Sequence, residues 1–266
     1  VEVVRTLLLR PGNDDDDDDD ATTILVDQRR SSDGRTALFV AALQGHVDVV
    51  RTLVSFGGAD VGLPQVDGVS PLFASCQEGH LSTAKALLEH PRADPNQVDV
   101  DGASPLIIAA WYGHVAIVRL LLAEKADVRQ VLRDGATALC MACLKGRVDI
   151  AELLLDSGAD VQHTGSFGWT PLLEAATQGF HTVAQLLLDR GADVDQIRDD
   201  GASPMFLACA AGHKDTARVL LNYGADVTRR NDAGLSPLAV ACREGHWDLV
   251  SEEFLDDDDD DDEDEK

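Results

Sequence analysis

The sequence predicts an all-α solenoid of stacked helix-turn-helix units joined by β-hairpin-like turns. A glycine recurs every 33 or 34 residues, two short apolar stripes with helical spacing lie inside each period, and a turn signal separates consecutive periods. A period of this length is typical of repeat arrays, in which each unit buries its apolar face only against its neighbours. The recurring turn glycine follows Asp, or a residue in the Asp position, at Gly34, Gly68, Gly102, Gly135, Gly168, Gly201 and Gly234.

One repeat, residues 101–128, shows why each helix is expected. Ser104 is a residue type that caps helix N-termini, and Pro105 follows at the position where its missing N–H and fixed φ suit the first helical turn. A short helix is therefore expected to begin at Pro105 and to stop at Gly113. A second apolar run with helical spacing follows His114, and it predicts the second helix of a helical hairpin.

The second helix of an ordinary repeat ends in an exit glycine before an Ala-Asp pair, as at Gly158. In the third repeat Lys125 occupies this position. If its backbone is left-handed, as that of the glycine would be, the strain costs about 1–2 kcal/mol. We therefore expect a local weak point at Lys125.

Seven consecutive copies run from Asp33 to about Leu255 and follow, with substitutions, the spelling Asp-Gly-x-Ser/Thr-Pro/Ala-Leu/Met, then Gly-His, Leu-Leu and Gly-Ala-Asp-Val. This spelling resembles the ankyrin repeat. The family's Thr-Pro-Leu-His-x-Ala motif normally carries a histidine, and the resemblance implies that a hydrogen-bond network built with this imidazole is absent here. We expect apolar packing to replace it, because the position holds Phe39, Phe73, Ile107, Cys140, Leu173, Phe206 and Ala239.

The repeat array spans residues 33–255. The segments on either side of it are expected to differ from the repeats. Residues 1–12 align with the second helix at 47–58, so they predict the second helix of a truncated repeat and a chain that is a piece of a longer array. Residues 13–32 contain the run Asp14–Asp20 and predict an acidic insertion loop and a turn. Residues 256–266 are almost wholly acidic and predict a disordered tail, since adjacent carboxylates repel and bury nothing.

Composition excludes several classes of function. The formal net charge is −26, of which the two acidic tracts supply most, and no basic face is available for DNA or RNA. No apolar run approaches the roughly 18 residues of a membrane span. The five cysteines and the lack of a signal-like start favour a reducing compartment, cytoplasmic or nuclear.

Neither catalysis nor a cofactor is expected. The sequence contains no glycine-flanked nucleophile, P-loop or His-Glu-x-x-His motif, and most histidines occupy the repeated Gly-His position. Cys140 and Cys143 spell Cys-x-x-Cys, which is half of a zinc site, but no second pair lies at ligand spacing. Cys143 is also the counterpart of Cys76, Cys209 and Cys242, so we interpret these four as small core residues and expect no metal.

The resemblance implies a concave face made by the turn tips and first helices, and this face is the candidate binding surface. Aromatic residues are frequent anchors of interfaces, although such rings also cover neighbouring repeats. Trp247 lies in the second helix of the last repeat and is expected to pack there. The candidate partner-binding residues are Arg35, Trp111, Tyr112, Leu144, Lys145, Phe167 and Trp169.

We therefore expect a non-catalytic, monomeric scaffold or adaptor that binds a protein partner on this face. One alternative is an acidic scaffold or chaperone that holds basic proteins through Asp14–Asp20 and Asp256–Glu265, by attraction that salt weakens. The simplest interpretation of these tracts is a solvated spacer, and weak calcium binding is the least favoured one, since contiguous carboxylates lack the spaced ligands of a calcium loop. Another alternative is a regulatory segment of a larger enzyme or channel. The partner and the pathway are not readable from the sequence, because a fold does not specify function.

Overall fold

The computed structural model describes residues 26–30 and 32–249 of the 266-residue chain. Regular secondary structure in these residues is helical, and no extended strand occurs among them. The all-α class is therefore confirmed. The chain divides into two compact units, Val1–Arg133 (unit 1) and Asp134–Lys266 (unit 2). None of the helices in the described residues is long and apolar enough to cross a membrane.

Six of the seven repeats contribute two antiparallel helices each, and the seventh contributes its first helix. Unit 1 contains α1 Ala37–Leu43, α2 Val47–Gly57, α3 Pro71–Gln77, α4 Leu81–Leu88, α5 Pro105–Tyr112 and α6 Val115–Ala123. Unit 2 contains α7 Ala138–Leu144, α8 Val148–Asp156, a 3₁₀ turn Ser166–Gly168, α9 Pro171–Gln178, α10 His181–Asp189, α11 Pro204–Ala211, α12 Lys214–Asn222 and α13 Pro237–Glu244. Within each unit, first helices pack on first helices and second helices on second helices.

Every first helix begins with a side-chain cap, which is buried in every case but Ser236. The Ser104 hydroxyl accepts a hydrogen bond from the Ile107 N–H at 3.4 Å, and Pro105 starts α5 as the sequence predicted. This cap satisfies a backbone donor that the helix itself leaves without a partner. The same bond, from the residue three positions on, is made by Thr36, Ser70, Thr137, Thr170, Ser203 and Ser236.

Apolar side chains fill the position where the family motif carries its histidine. Phe39, Phe73, Ile107, Cys140, Leu173 and Phe206 are all buried, and Ala239 is half-buried. Their backbone N–H groups are the donors to the caps, so each residue is anchored by its backbone while its side chain enters the core. The expected replacement of imidazole by apolar packing is confirmed in the six buried cases.

The cysteines expected to be core residues are inside the array, with one exception. Cys76, Cys143 and Cys209 are fully buried, whereas Cys242 is half-buried. Burial raises the pKa of the Cys76 and Cys209 thiols to about 12. These thiols therefore act as small apolar groups rather than nucleophiles.

A glycine closes the end of each first helix, and at five of these glycines a ring of the next repeat packs against it. Gly79 has a φ of 79°, which favours glycine, and a Cβ there would lie 2.7 Å from the ring of His114. The His114 Nε2 lies 3.0 Å from the Gln77 carbonyl oxygen, which only accepts, so Nε2 donates this hydrogen bond. His80, His213 and His246 repeat the contact with Leu43, Thr177 and Ala210.

The turns between repeats are linked by a second series of backbone hydrogen bonds. The Val66 N–H donates to the Asp33 carbonyl oxygen at 3.2 Å, and the Val100 N–H donates to that of Asp67 at 2.9 Å. Within one turn, the Gln65 N–H donates to the Val69 carbonyl oxygen at 3.0 Å, as in a hairpin. These bonds set the spacing of consecutive turn tips within each unit.

Three sequence expectations concern other parts of the chain. The truncated helix at 1–12, the aspartate run Asp14–Asp20 and the tail at 256–266 lie outside the described residues. The expected boundary of the array at 255 does so as well, since the description ends at Leu249.

Lys125 is left-handed, as the sequence predicted, with a φ of 63°. Replacing Lys125 with Gly should raise the free energy of unfolding by about 0.5–1 kcal/mol. Glycine removes the backbone strain, but its greater conformational entropy in the unfolded chain cancels part of this stabilisation. The urea midpoint at an unchanged slope measures this change.

The mirrored control for Lys125→Gly is Gly158→Lys, at the exit position of the next repeat. Gly158 has a φ of 88° and nothing lies within 4 Å of a Cβ built on it, so only backbone strain should change. If Gly158→Lys lowers the free energy of unfolding but Lys125→Gly does not raise it, the assignment of backbone strain to Lys125 is contradicted.

Phe180 occupies the position that His114 and His213 hold in their repeats, directly after the glycine that closes the first helix. Its ring packs on Gly146 of the preceding repeat. Phe180→His should place an Nε2–H beside the Leu144 carbonyl and stabilise the fold by about 0.5–1 kcal/mol. His213→Phe in the same unit should lower the free energy of unfolding by a comparable amount, because it removes the corresponding hydrogen bond. Chemical denaturation of both variants measures the effect, and a destabilised Phe180→His would show that apolar packing outweighs the hydrogen bond here.

Candidate partner-binding surface

The candidate residues fall into two sets, one in each unit. Unit 1 holds Arg35 in the turn before α1, and Trp111 and Tyr112 at the end of α5. Unit 2 holds Leu144 and Lys145 at the end of α7, and Phe167 and Trp169 in the turn before α9. The side chains of each set lie at turns or first-helix ends within their own unit.

Arg35 is held by contacts inside unit 1. Its Nε donates to the Gln65 side-chain oxygen at 3.2 Å and lies 3.3 Å from an Asp33 carboxylate oxygen. Its guanidinium carbon also lies 5.5 Å from the centre of the Phe39 ring. A partner that binds Arg35 therefore meets a guanidinium whose position is already set.

Tyr112 is the exposed aromatic residue of the unit 1 set. It is 47% exposed, whereas Trp111 beside it is half-buried. The Tyr112 ring stacks on His114 with 6.2 Å between ring centres, and His114 is itself bonded to the Gln77 carbonyl. Tyr112 is therefore an exposed ring with a restricted orientation.

Exposed valines at the turns of unit 1 were not among the candidates. Val66 is 75% exposed, and Val98, Val100 and Val131 are between 41% and 49% exposed. Two of them directly precede an Asp-Gly pair, in Val66-Asp67-Gly68 and Val100-Asp101-Gly102. An apolar residue directly before the Asp-Gly pair is therefore the sequence pattern that indicates these two exposed valines.

Phe167 departs from the other turns in both residue type and backbone. In most repeats an Asp here accepts a hydrogen bond from the N–H two residues on, as Asp134 does from Ala136 at 3.0 Å. Phe167 offers no such acceptor, and the Trp169 N–H bonds instead to the Ser166 carbonyl at 3.3 Å. Phe167 has a φ of 58°, which is unusual for a bulky residue, and its side chain is 74% exposed.

Trp169 is half-buried beside Phe167, and an arginine of its own chain lies over its ring. The guanidinium carbon of Arg198 lies 4.9 Å from the centre of the Trp169 ring. Arg198 also donates two hydrogen bonds to the Asp200 carboxylate, at 2.6 and 2.5 Å. This pairing raises the pKa of Arg198 and lowers that of Asp200.

A cavity of about 260 Å³ opens beside this turn, within unit 2. Its lining combines two aromatic rings, two carboxylates and the buried Cys140: Asp134, Ala136, Cys140, Gly165, Ser166, Phe167, Trp169 and Glu174. The pKa of Glu174 is raised to about 7, first by burial and then by the negative charge of Asp134. Sequence reasoning missed Glu174, because nothing in its local spelling distinguishes it from a solvated acid.

Leu144 and Lys145 do not line this cavity. Leu144 is half-buried and Lys145 is exposed at the end of α7, where its N–H caps the helix by bonding to the Met141 carbonyl. The structure therefore brings Phe167 and Trp169 to one cavity and leaves the α7 pair outside its lining.

Trp247 is 62% exposed, so the expectation that it packs was wrong. It occupies the first position of a second helix, which is half-buried or exposed in every repeat; the counterparts Leu81 and His181 are exposed. Cys140 and Cys143 do not join a metal-ligand cluster, since no group of three or more potential ligands occurs in the described part of the chain.

Comparisons with known proteins show which family the chain resembles. A family model for ankyrin repeats matches residues 1–99, 57–131, 91–165, 162–231 and 191–256. The solved structure described as the human ASB11 ankyrin repeat domain is 32% identical, with a TM-score of 0.73, and the match covers 81% of this chain and 97% of that one. A search of curated protein sequences gave no match. Ankyrin repeats are general modules for protein–protein interaction and are typically non-catalytic. The chain belongs to the ankyrin repeat family.

Proposed function

We propose that the protein is a non-catalytic scaffold or adaptor that binds a protein partner with its turn tips and first-helix ends. The observation that carries this proposal is the exposure of large aromatic side chains at those positions, Phe167 at 74% and Tyr112 at 47%. An aromatic side chain buries about 150–250 Å² and loses little conformational entropy on binding, so such rings are effective anchors.

Phe167 is costly to the chain on its own. A left-handed backbone at a bulky residue costs about 1–3 kcal/mol, and an exposed phenyl ring gains nothing from burial. A bound partner that covers the ring would offset this cost. Six of the seven repeats have Asp or Ala in the same position, so the array does not need Phe167 to fold.

The half-buried rings support the same surface. Trp111 adjoins Tyr112, and Trp169 adjoins Phe167, so each exposed ring extends an aromatic pair whose other member is partly packed. A well-packed neighbour that excludes water is the usual surrounding of an interface anchor. The exposed valines at the turns of unit 1 add apolar area to the same kind of surface.

The test compares capture from a cell lysate by the intact chain, a Tyr112→Ala/Phe167→Ala variant and a Trp247→Ala variant. Trp247 is the matched control, because it is an exposed aromatic residue at the first position of a second helix and lies outside the turn tips and the last positions of the first helices. We expect a partner that is retained at raised salt, is lost at least tenfold with the double variant, and is unaffected by Trp247→Ala.

Two results would contradict the proposal. Equal capture by all three baits would exclude the aromatic anchors. Proteins that ignore the aromatic changes and are removed by raised salt would transfer the function to Asp14–Asp20 and Asp256–Glu265, since attraction to exposed charges is screened by salt.

A further inference from the structure

The cavity in unit 2 combines aromatic walls with carboxylates, and we propose that it receives an arginine side chain of the protein partner. This inference rests on the proposed function and specifies what the partner inserts. The aromatic walls are Phe167 and Trp169, and the carboxylates belong to Asp134 and Glu174. Aromatic faces and carboxylates both attract cations, and together they select a cationic group with a flat apolar surface.

Glu174 has no cationic partner among the residues of its own chain that the structure describes. No ion pair or hydrogen bond of its carboxylate occurs within residues 26–30 and 32–249, although the group is half-buried. A half-buried carboxylate that faces a second negative charge is unfavourable in its ionised form. A guanidinium in the cavity would offset both the lost hydration of Glu174 and its repulsion from Asp134.

The chain itself provides an example of the proposed contact. Arg198 places its guanidinium 4.9 Å from the Trp169 ring centre while it forms two hydrogen bonds with Asp200. The cavity offers the same two elements, an aromatic surface and carboxylates, without an arginine of the chain in its lining. Arginine is favoured over lysine because a planar guanidinium stacks on a ring and binds carboxylates with two parallel donors.

The size of the cavity also suits one side chain. Its volume of about 260 Å³ lies below the roughly 300–1,000 Å³ of sites that enclose drug-sized ligands. The turn that forms one wall is kept close to its neighbour by the Ser166 N–H, which donates to the Asp134 carbonyl at 2.8 Å. The cavity is therefore a feature of two bonded turns.

Binding should strengthen as pH rises. Glu174 has a pKa of about 7, and a guanidinium binds its ionised form, so affinity should increase about tenfold between pH 6 and pH 8. The Cys140 and Cys143 thiols have raised pKa values and stay protonated in this range. The titratable and charged groups on the elements around Glu174 and the cavity wall are Asp134, Cys140, Cys143, His163, His181, Asp189, Arg198, Asp200 and Cys209.

The experiment is an NMR titration of the full chain at constant ionic strength, observed at the indole N–H of Trp169. Trp169→Phe assigns the signal among the three tryptophans. The probes are the blocked single residues N-acetyl-arginine, N-acetyl-lysine and N-acetyl-citrulline methylamides, of which the citrulline compound is a neutral isostere of arginine. We expect a saturable shift with arginine, at least fivefold weaker binding of lysine and no shift with citrulline.

Two carboxylate variants separate the cavity from general attraction to an acidic chain. Glu174→Gln should abolish the arginine shift and its pH dependence, whereas Glu124→Gln removes the same charge from an exposed position of unit 1 and should change neither. If Glu174→Gln does not fold, Phe167→Ala tests the aromatic wall, because this exposed side chain is removable without loss of the core. It should weaken arginine binding several-fold.

The inference is overturned if arginine causes no shift in the intact chain, or if Glu174→Gln and Glu124→Gln respond alike. Loss of this inference alone leaves partner capture still dependent on Tyr112 and Phe167. Arginine binding in the cavity without any aromatic dependence of capture would instead contradict the proposed function.

Discussion

The structure depends on the left-handed backbone of the glycine that closes each first helix. At Gly79 this conformation stops the helix, and the absence of a side chain lets the His114 ring lie where a Cβ would be. The ring then bonds back to the carbonyl of Gln77, two residues before the glycine. Chain reversal within one repeat and attachment to the next repeat are therefore achieved at a single position.

Because the frame is held by caps, closing glycines and backbone bonds between turns, the turn tips are free to vary. The Asp of an ordinary turn accepts a hydrogen bond from the backbone two residues on, but the bonds between turns come from the main chain. Phe167 replaces that Asp without interrupting the series, since its carbonyl still accepts from the Asp199 N–H at 3.1 Å. A repeat can thus exchange a local hydrogen bond for an exposed aromatic ring.

Local features were predictable from the sequence, and features that need a neighbouring repeat were not. The cap at Ser104, the helix start at Pro105 and the strained Lys125 depend on residues close in the chain, and all three were expected. The raised pKa of Glu174 depends first on burial, which no local pattern indicates, and then on Asp134, 40 residues earlier in the chain. Trp247 was expected to pack because it lies in a second helix, but it occupies the first position of that helix, which is half-buried or exposed in every repeat.

The central claim is that aromatic side chains at the turns and first-helix ends contact the partner. Hydroxyl-radical footprinting of the intact chain, alone and in complex with a captured partner, tests it most directly, because oxidation reports the exposure of each ring. We expect protection of Tyr112 and Phe167 from oxidation in the complex and unchanged oxidation of Trp247, whose side chain is 62% exposed in the free chain. Equal oxidation of Tyr112 and Phe167 in the free and bound chains would contradict it.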